Sequence, residues 1–169
     1  EAGGASYEGA EASFELLVER HKPDYVAPFT IVDFTVIVEQ REASAPRAQA
    51  TVRVQVGGED LHTASDGNGP VNALDRALRK GLGAFYPQLD AVHLVDYKVR
   101  ILDGGSATGA KTRVVIESVA GGEAWSTMGV GENIISASAL ALADSLEYAL
   151  LKNGGTVERR SERNVPTGR

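Results

Sequence analysis

The segment Asp66-Gly67-Asn68-Gly69-Pro70 runs directly into a helical pattern. A glycine-rich turn at a helix start leaves backbone N–H groups unpaired, and the helix dipole behind them favours an anion, so a small carboxylate suits this position. The plainer reading is a turn with a cap. It is not a phosphate loop, because neither GxxxxGKS nor GxxxxGKT occurs and the glycine spacing is not that of a dinucleotide fingerprint. Gly129-Val130-Gly131-Glu132-Asn133 precedes a second helical pattern, with Glu132 in the place of Asn68 (132 − 68 = 64). Two helix starts that differ by one charge can take the two ends of a zwitterion, or Glu132 is simply a favourable acid at a helix N-terminus.

Other residue types with chemical potential are scattered. Asp33 and Asp96 each stand beside an aromatic, Phe34 and Tyr97, at a strand start. Paired carboxylates raise the question of acid–base work, but hydrogen bonding at a strand edge is the commoner role. His21, His62 and His93 lie in different segments without HxH or HExxH spacing, and no GxSxG nucleophile turn occurs. The absence of cysteine removes thiol nucleophiles, disulfides and zinc–thiolate sites together. Trp125 reads as a core or dimer contact.

The elements that carry these residues repeat. Val32-Asp33-Phe34-Thr35-Val36-Ile37-Val38 returns as Val95-Asp96-Tyr97-Lys98-Val99-Arg100-Ile101 (95 − 32 = 63), and Gly57-Gly58-Glu59 returns as Gly121-Gly122-Glu123 (121 − 57 = 64). The first pair alternates apolar and polar residues as half-buried strands do. The second pair reads as hairpin turns, glycine supplying the positive φ, joining strands over 48–56 and 59–65, and over 111–119 and 123–130. A helix closes each copy. One opens at Gly69-Pro70 and buries Val71, Leu74, Leu78 and Leu82; the other is capped by Asn133 and buries Ile135, Leu142, Leu146 and Ala149 or Leu150. Ala137, Ala141, Ser145 and Ala149 form a strip of small side chains that permits close approach.

The fold class expected is therefore α+β: two pseudo-symmetric βββα units packed together, because a three-stranded sheet with one helix leaves a face to cover. A helix over 6–20 precedes them, with Tyr7, Ala10, Phe14, Leu17 and Val18 on its inner face, ending before Lys22-Pro23. The organisation expected is a linker and helix over 1–29, a regulatory domain over 30–152 with units of about 30–83 and 94–152, and a flexible tail over 153–169. The loop over 102–110 reads as a ligand lid or a plain hairpin connection.

Bulk composition narrows the function classes. With 43% hydrophobic and 24% charged residues the chain is ordinary for a globular protein, and a net charge of −6 argues against a sequence-independent nucleic-acid binder. No apolar run approaches the roughly 18 residues of a membrane span, and Glu1–Ala5 lacks the features of a signal peptide, so a cytoplasmic setting without membrane or nucleic-acid partners is expected. Met128 is the single methionine, which predicts that the chain is part of something longer, an excised C-terminal domain being the simplest account.

SYEGAEASFELL, VDFTVIVE, DGNGPVNALDRALRKGL, VDYKVRILDG and GVGENIISASALALADSLEYALL together resemble the C-terminal regulatory domain of the isopropylmalate synthase and citramalate synthase family, the leucine-type allosteric and dimerising domain. VNALDRAL, VDYKVRIL and NIISAS followed by DSLEY look most like the citramalate synthase type. The resemblance covers Ser6 to Lys152. It implies two βββα units, a homodimer, and a branched-chain amino acid bound between the units: isoleucine for citramalate synthases, leucine for isopropylmalate synthases. The family's pocket maps onto Gly67, Asn68, Gly69 and Val71 at the first helix start, and onto Leu94, Tyr97 and Ile101 on a strand wall. It continues onto Ala110 and Thr112 on the returning strand and Asn133 and Ile134 at the second helix start. The family's catalytic part is a barrel holding a divalent metal and condensing acetyl-CoA with an α-keto acid. Nothing in this sequence matches it, so the resemblance implies no cofactor and no synthase activity for this chain alone, and a partner in its own catalytic barrel. A purely structural dimerisation module is the alternative.

Overall fold

The structure, a computed structural model, describes residues 9–42, 44–102 and 110–154. Helix α1 (Glu11–Arg20) is followed by strands β1 (Thr30–Glu39), β2 (Arg47–Val56) and β3 (Glu59–Gly67) and helix α2 (Pro70–Leu82). After a 3₁₀ turn at Pro87–Ala91, which the sequence reading missed, come β4 (His93–Leu102), β5 (Lys111–Ala120), β6 (Glu123–Gly131) and α3 (Ile134–Lys152). The strands form two antiparallel sheets in the orders β1-β2-β3 and β4-β5-β6, so the expected pair of βββα units is present.

The repeat extends to the register. Phe34 stands opposite Val52, and its counterpart Tyr97 stands opposite Ile116. Each edge strand carries an irregularity at the same place, between Ile31 and Asp33 in β1 and between Leu94 and Asp96 in β4. The aspartate after each irregularity is engaged locally: Asp33 with Arg53 at 2.7 Å, and Asp96 with Lys98 at 2.6 Å and with the Tyr97 N–H at 2.8 Å. Gly57 and Gly58 have φ of 54° and 85°, Gly121 and Gly122 of 57° and 83°, as two-residue hairpin turns with two left-handed positions require.

Alternation decides which face each helix covers. Ala48, Ala50, Val52, Val54 and Val56 of β2 are buried while Arg47, Gln49, Arg53 and Gln55 point outward, and α2 lays Leu74, Leu78 and Leu82 on the apolar side. In the second unit Val114, Ile116 and Ser118 of β5 lie under α3. Both copies pin helix to sheet the same way: Thr63 donates to the Ala77 carbonyl at 2.7 Å, and Thr127 to the Ala141 carbonyl at 2.8 Å. The helices touch each other, and one apolar core runs through both units. The strip of small residues on α3 does permit close approach. A Cβ on Gly129 would lie 2.0 Å from the Ala137 carbonyl oxygen, which is why β6 carries glycine there.

Two expectations are corrected. Helix α1 packs on α3 and β6 through Ala12, Ser13 and Leu16, while Phe14, Leu17 and Val18 face outward, Phe14 being 53% exposed. The reason is a polar anchor that periodicity cannot reveal. The Ser13 hydroxyl donates to Asp144 at 2.8 Å and accepts from the Met128 N–H of edge strand β6 at 2.9 Å. Arg20 then binds Asp144 at 2.7 Å and Glu147 at 2.6 Å, and Tyr25 donates to Glu147. Second, α3 is long and apolar enough by length and composition to cross a bilayer, with a mean hydropathy of 1.5, although 56% of that stretch is buried inside the fold. Isolated polar residues such as Asp144 and Glu147 hide its apolar character in a search for unbroken runs.

Candidate functional site

The two helix starts share a backbone plan and differ in how they end their hydrogen bonding. Asn133 caps α3 with its side chain, accepting from the Ser136 N–H at 2.9 Å. At α2 the N-cap is Gly69, extended at φ −169° and ψ 170°, with no side chain to offer and Pro70 following. Asn72 turns back to accept from the Asn68 N–H at 3.2 Å, which fixes the loop without capping the helix. The start of α2 therefore leaves open the backbone donor whose counterpart at α3, the Ser136 N–H, is satisfied by Asn133. Gly67 is required for space: a Cβ there would lie 2.3 Å from the Ala73 nitrogen.

Beside α2, between it and edge strand β4, lies a cleft of about 520 Å³, within the range of small-molecule sites. Val71, Asn72, Asp75 and Arg79 form its helix wall, and Asp90, Val92, His93, Leu94 and Tyr97 face them. Arg79 braces the floor. Its Nε meets Asp75 at 2.8 Å, and its Nη1 donates to the carbonyls of Val92 at 2.7 Å and Leu89 at 3.3 Å, tying the 3₁₀ turn to α2. The apolar end, Val71, Leu94 and Tyr97, lies toward the open helix start.

Tyr97 ties edge strand β4 to helix α3 of its own unit. Ser138 donates its only hydroxyl proton to the Ile134 carbonyl at 2.6 Å, so the Tyr97 hydroxyl donates to Ser138, at 2.8 Å. A chain from the cleft wall to the first turn of α3 results. Along the same helix, burial pushes the Asp144 carboxyl above its ordinary range more than neighbouring Arg20 pulls it down. Arg20 itself is partly buried, which opposes its charge, yet its hydrogen bonds to Glu147 and Asp144 push its pKa further up.

Of the residues expected at the site, Val71, Leu94 and Tyr97 meet in the cleft, and Gly67, Asn68 and Gly69 form the approach to its helix. Ile101, Ala110, Thr112, Asn133 and Ile134 do not line it. Ile101, 74% exposed, stands opposite Thr112, which stands opposite Gly131 at the start of α3, and Ala110 immediately precedes β5. Of this second group only Ile134 is connected to the cleft, its carbonyl accepting from Ser138, which in turn accepts from Tyr97. Glu132 is exposed and outside the cleft. The loop read as a lid lies, over 103–109, outside the described residues.

Sequence reading missed Asn72, Asp75, Arg79, Asp90, Val92 and His93. The i,i+4 spacing of Asp75 and Arg79 was a visible signal of a paired helix face, but that this face meets β4 is a tertiary fact. Trp125 is half-buried against the core, its ring N–H donating to Ser145 at 3.1 Å. No cluster of three metal-ligating side chains occurs among the described residues. An apolar wall, open backbone donors at the helix start and an already paired Asp75–Arg79 floor leave room for a small polar molecule with an apolar side.

Comparison with known proteins agrees with the sequence motifs. The profile of a family described as the LeuA allosteric (dimerisation) domain matches residues 8–150. An (R)-citramalate synthase of Geobacter sulfurreducens is 52% identical over 151 residues, covering 89% of this chain and 29% of that protein. Another from Aquifex aeolicus is 49% identical over 154 residues, covering 90% and 29%. A 2-isopropylmalate synthase of Aquifex aeolicus is 32% identical over 150 residues, covering 89% and 26%. The chain spans under a third of the length of these curated relatives.

Proposed function

The chain belongs to the LeuA allosteric (dimerisation) domain family, and from that membership we propose that it is the isoleucine-sensing, homodimeric regulatory domain of a cytoplasmic citramalate synthase. Isoleucine, the end product, binds in the cleft between α2 and β4, its carboxylate at the uncapped start of α2 and its side chain against Val71, Leu94 and Tyr97. The uncapped helix start beside an apolar wall is the observation that supports this reading most. The acetyl-CoA-condensing chemistry, and the divalent metal it uses, belong to a catalytic barrel elsewhere in the full-length enzyme, and this chain alone is inactive. Binding favours one arrangement of the two units, and the attached barrel senses the shift through α1, which Ser13 and Arg20 tie to α3. Of the remaining expected residues, Ile134 ends the Tyr97–Ser138 chain, while Ile101, Ala110, Thr112 and Asn133 have no role in this reading.

Calorimetry of this chain with isoleucine, leucine and valine tests the reading. Isoleucine is expected to bind below millimolar concentration and more tightly than the other two. Binding of none of them below millimolar would reduce the chain to a structural dimerisation module. The likeness to a 2-isopropylmalate synthase supports one alternative, a leucine sensor, which a larger thermal shift with leucine than with isoleucine would establish.

A further inference from the structure

Asparagine followed by glycine occurs twice in the chain, at Asn68-Gly69 and at Asn153-Gly154. Asparagine is a thermolabile residue. Its side-chain amide is open to attack by the backbone nitrogen of the next residue, and glycine, lacking a Cβ, shields that nitrogen least. The fold treats the two pairs differently. Asn153 is the C-cap of α3, and its Nδ2 donates to the Ala149 carbonyl at 2.9 Å. Asn68 is exposed and is held only through its backbone, the N–H donating to Asn72 at 3.2 Å. Among the described residues, neither the Asn68 side-chain amide nor the Gly69 N–H has a hydrogen-bond partner. A Cβ on Gly69 would meet nothing within 4 Å, so the attacking nitrogen stands in open space.

We propose that Asn68 is a modification site, at which spontaneous deamidation installs a carboxylate that closes the ligand seat at the start of α2. The Gly69 nitrogen forms a bond to Cγ of Asn68 and gives its proton to solvent. The Cγ–Nδ2 bond breaks, and the side-chain nitrogen leaves as ammonia with a proton taken from solvent. Water then opens the cyclic imide, at Cγ to give isoaspartate's isomer aspartate with the main chain restored, or at the main-chain carbonyl carbon to give isoaspartate. Water is consumed and ammonia released, and nothing is oxidised or reduced. The product has a carboxylate where the second unit already carries Glu132 (132 − 64 = 68). An acid beside an uncapped helix start is favourable for the helix, so the fold survives the change while the place of the ligand carboxylate is taken by one of the chain's own. That consequence rests on the isoleucine reading; the modification does not.

Peptide-resolved mass spectrometry of the full 169-residue chain, held in warm, mildly alkaline buffer, tests the site. Conversion of amide to acid is expected first at Asn68, with Asn153 lagging several-fold. Gly69→Ala, whose Cβ has open space and whose extended φ of −169° suits any residue, should slow conversion at Asn68 several-fold and leave Asn153 as it was. Conversion at Asn68 no faster than at Asn153, or unchanged by Gly69→Ala, overturns the site. For the consequence, calorimetry compares isoleucine binding by wild type and by Asn68→Asp, which should bind about 10-fold more weakly. The converted wild-type chain, separated by its added negative charge, gives the same comparison without a substitution. Equal binding by converted and unconverted chains overturns the closure of the seat. A wild-type chain that binds no isoleucine overturns the ligand reading and the closure with it, while the modification site, read by mass alone, stands.

Discussion

Helix α2 and helix α3 occupy the same place in two copies of one unit, each pinned by a threonine to its own sheet, yet they have diverged in three ways. The start of α2 is uncapped and that of α3 is closed by Asn133. The outer wall of α2 is charged where that of α3 is apolar. And α3 carries a buried carboxylate, Glu147, at the place where α2 ends in its C-cap Gly83 (147 − 64 = 83). A duplicated fold keeps what its core needs, the apolar alternation, the hairpin glycines and the threonine pins, and is free to change what faces outward. The proposed ligand seat lies in the unit that keeps the open helix start.

The sharpest way to break the comparison is to exchange the sheet residues beneath the helices. Gly129→Ser places in the second unit the residue type that the first holds at Ser65 (129 − 64 = 65). Because its Cβ meets the Ala137 backbone at 2.0 Å, the variant should lose about 3 kcal/mol in urea unfolding. The reciprocal Ser65→Gly should cost only about 0.5–1 kcal/mol, through backbone entropy. Equal losses would show that the two helices stand equally far from their sheets.

Tyr97→Phe makes the second unit match Phe34 of the first. Loss of the hydrogen bond to Ser138 should cost about 1 kcal/mol, Ser138 retaining the Ile134 carbonyl as its acceptor. If the cleft binds isoleucine, its affinity falls as well, which calorimetry reads directly. At the helix starts, Asn133→Ala should cost about 1 kcal/mol. Gly69→Asn, which gives α2 the cap that α3 has, should stabilise by only about 0.3 kcal/mol but weaken isoleucine binding by occupying the same donors. A variant that binds isoleucine as tightly as wild type would remove the carboxylate from the start of α2.

The smallest expected effect tests the ionic anchor of α3. Burial, then the hydrogen bond to Glu147, pushes the Tyr25 hydroxyl from its ordinary value of 10 up to about 12. Folding therefore holds this proton more tightly than the unfolded chain does. The resulting stabilisation is complete below pH 10 and is lost as pH rises toward 12. Urea midpoints measured across that window should fall less steeply for Tyr25→Phe than for wild type.

Much of this was legible in the residues, and the misses have physical causes. The repeat was visible because strand alternation and hairpin glycines are local demands on each residue. Asn133 was readable as a cap because a cap acts within one turn of its own helix. The burial of α1 was misread because Ser13, a polar residue, is chosen for the inner face by Asp144 and by the N–H of Met128, more than 110 residues away in the chain (128 − 13 = 115). The charged wall of the cleft, Asp75 with Arg79, reads from sequence as an ordinary solvated helix face, and only the arrival of β4 makes it a wall.

By itself the sequence determined that there are two βββα units, where the two hairpin turns lie and which strand faces are apolar, since these follow from backbone geometry and short-range patterning. Only the tertiary structure decided that α2 and edge strand β4 enclose a cleft. It also decided that Tyr97, on the cleft wall, reaches Ser138 on the helix of its own unit and that α1 is held to α3 by charge. Each of these depends on which helix comes to rest beside which edge strand, and that is settled by the shared core of both units acting at once.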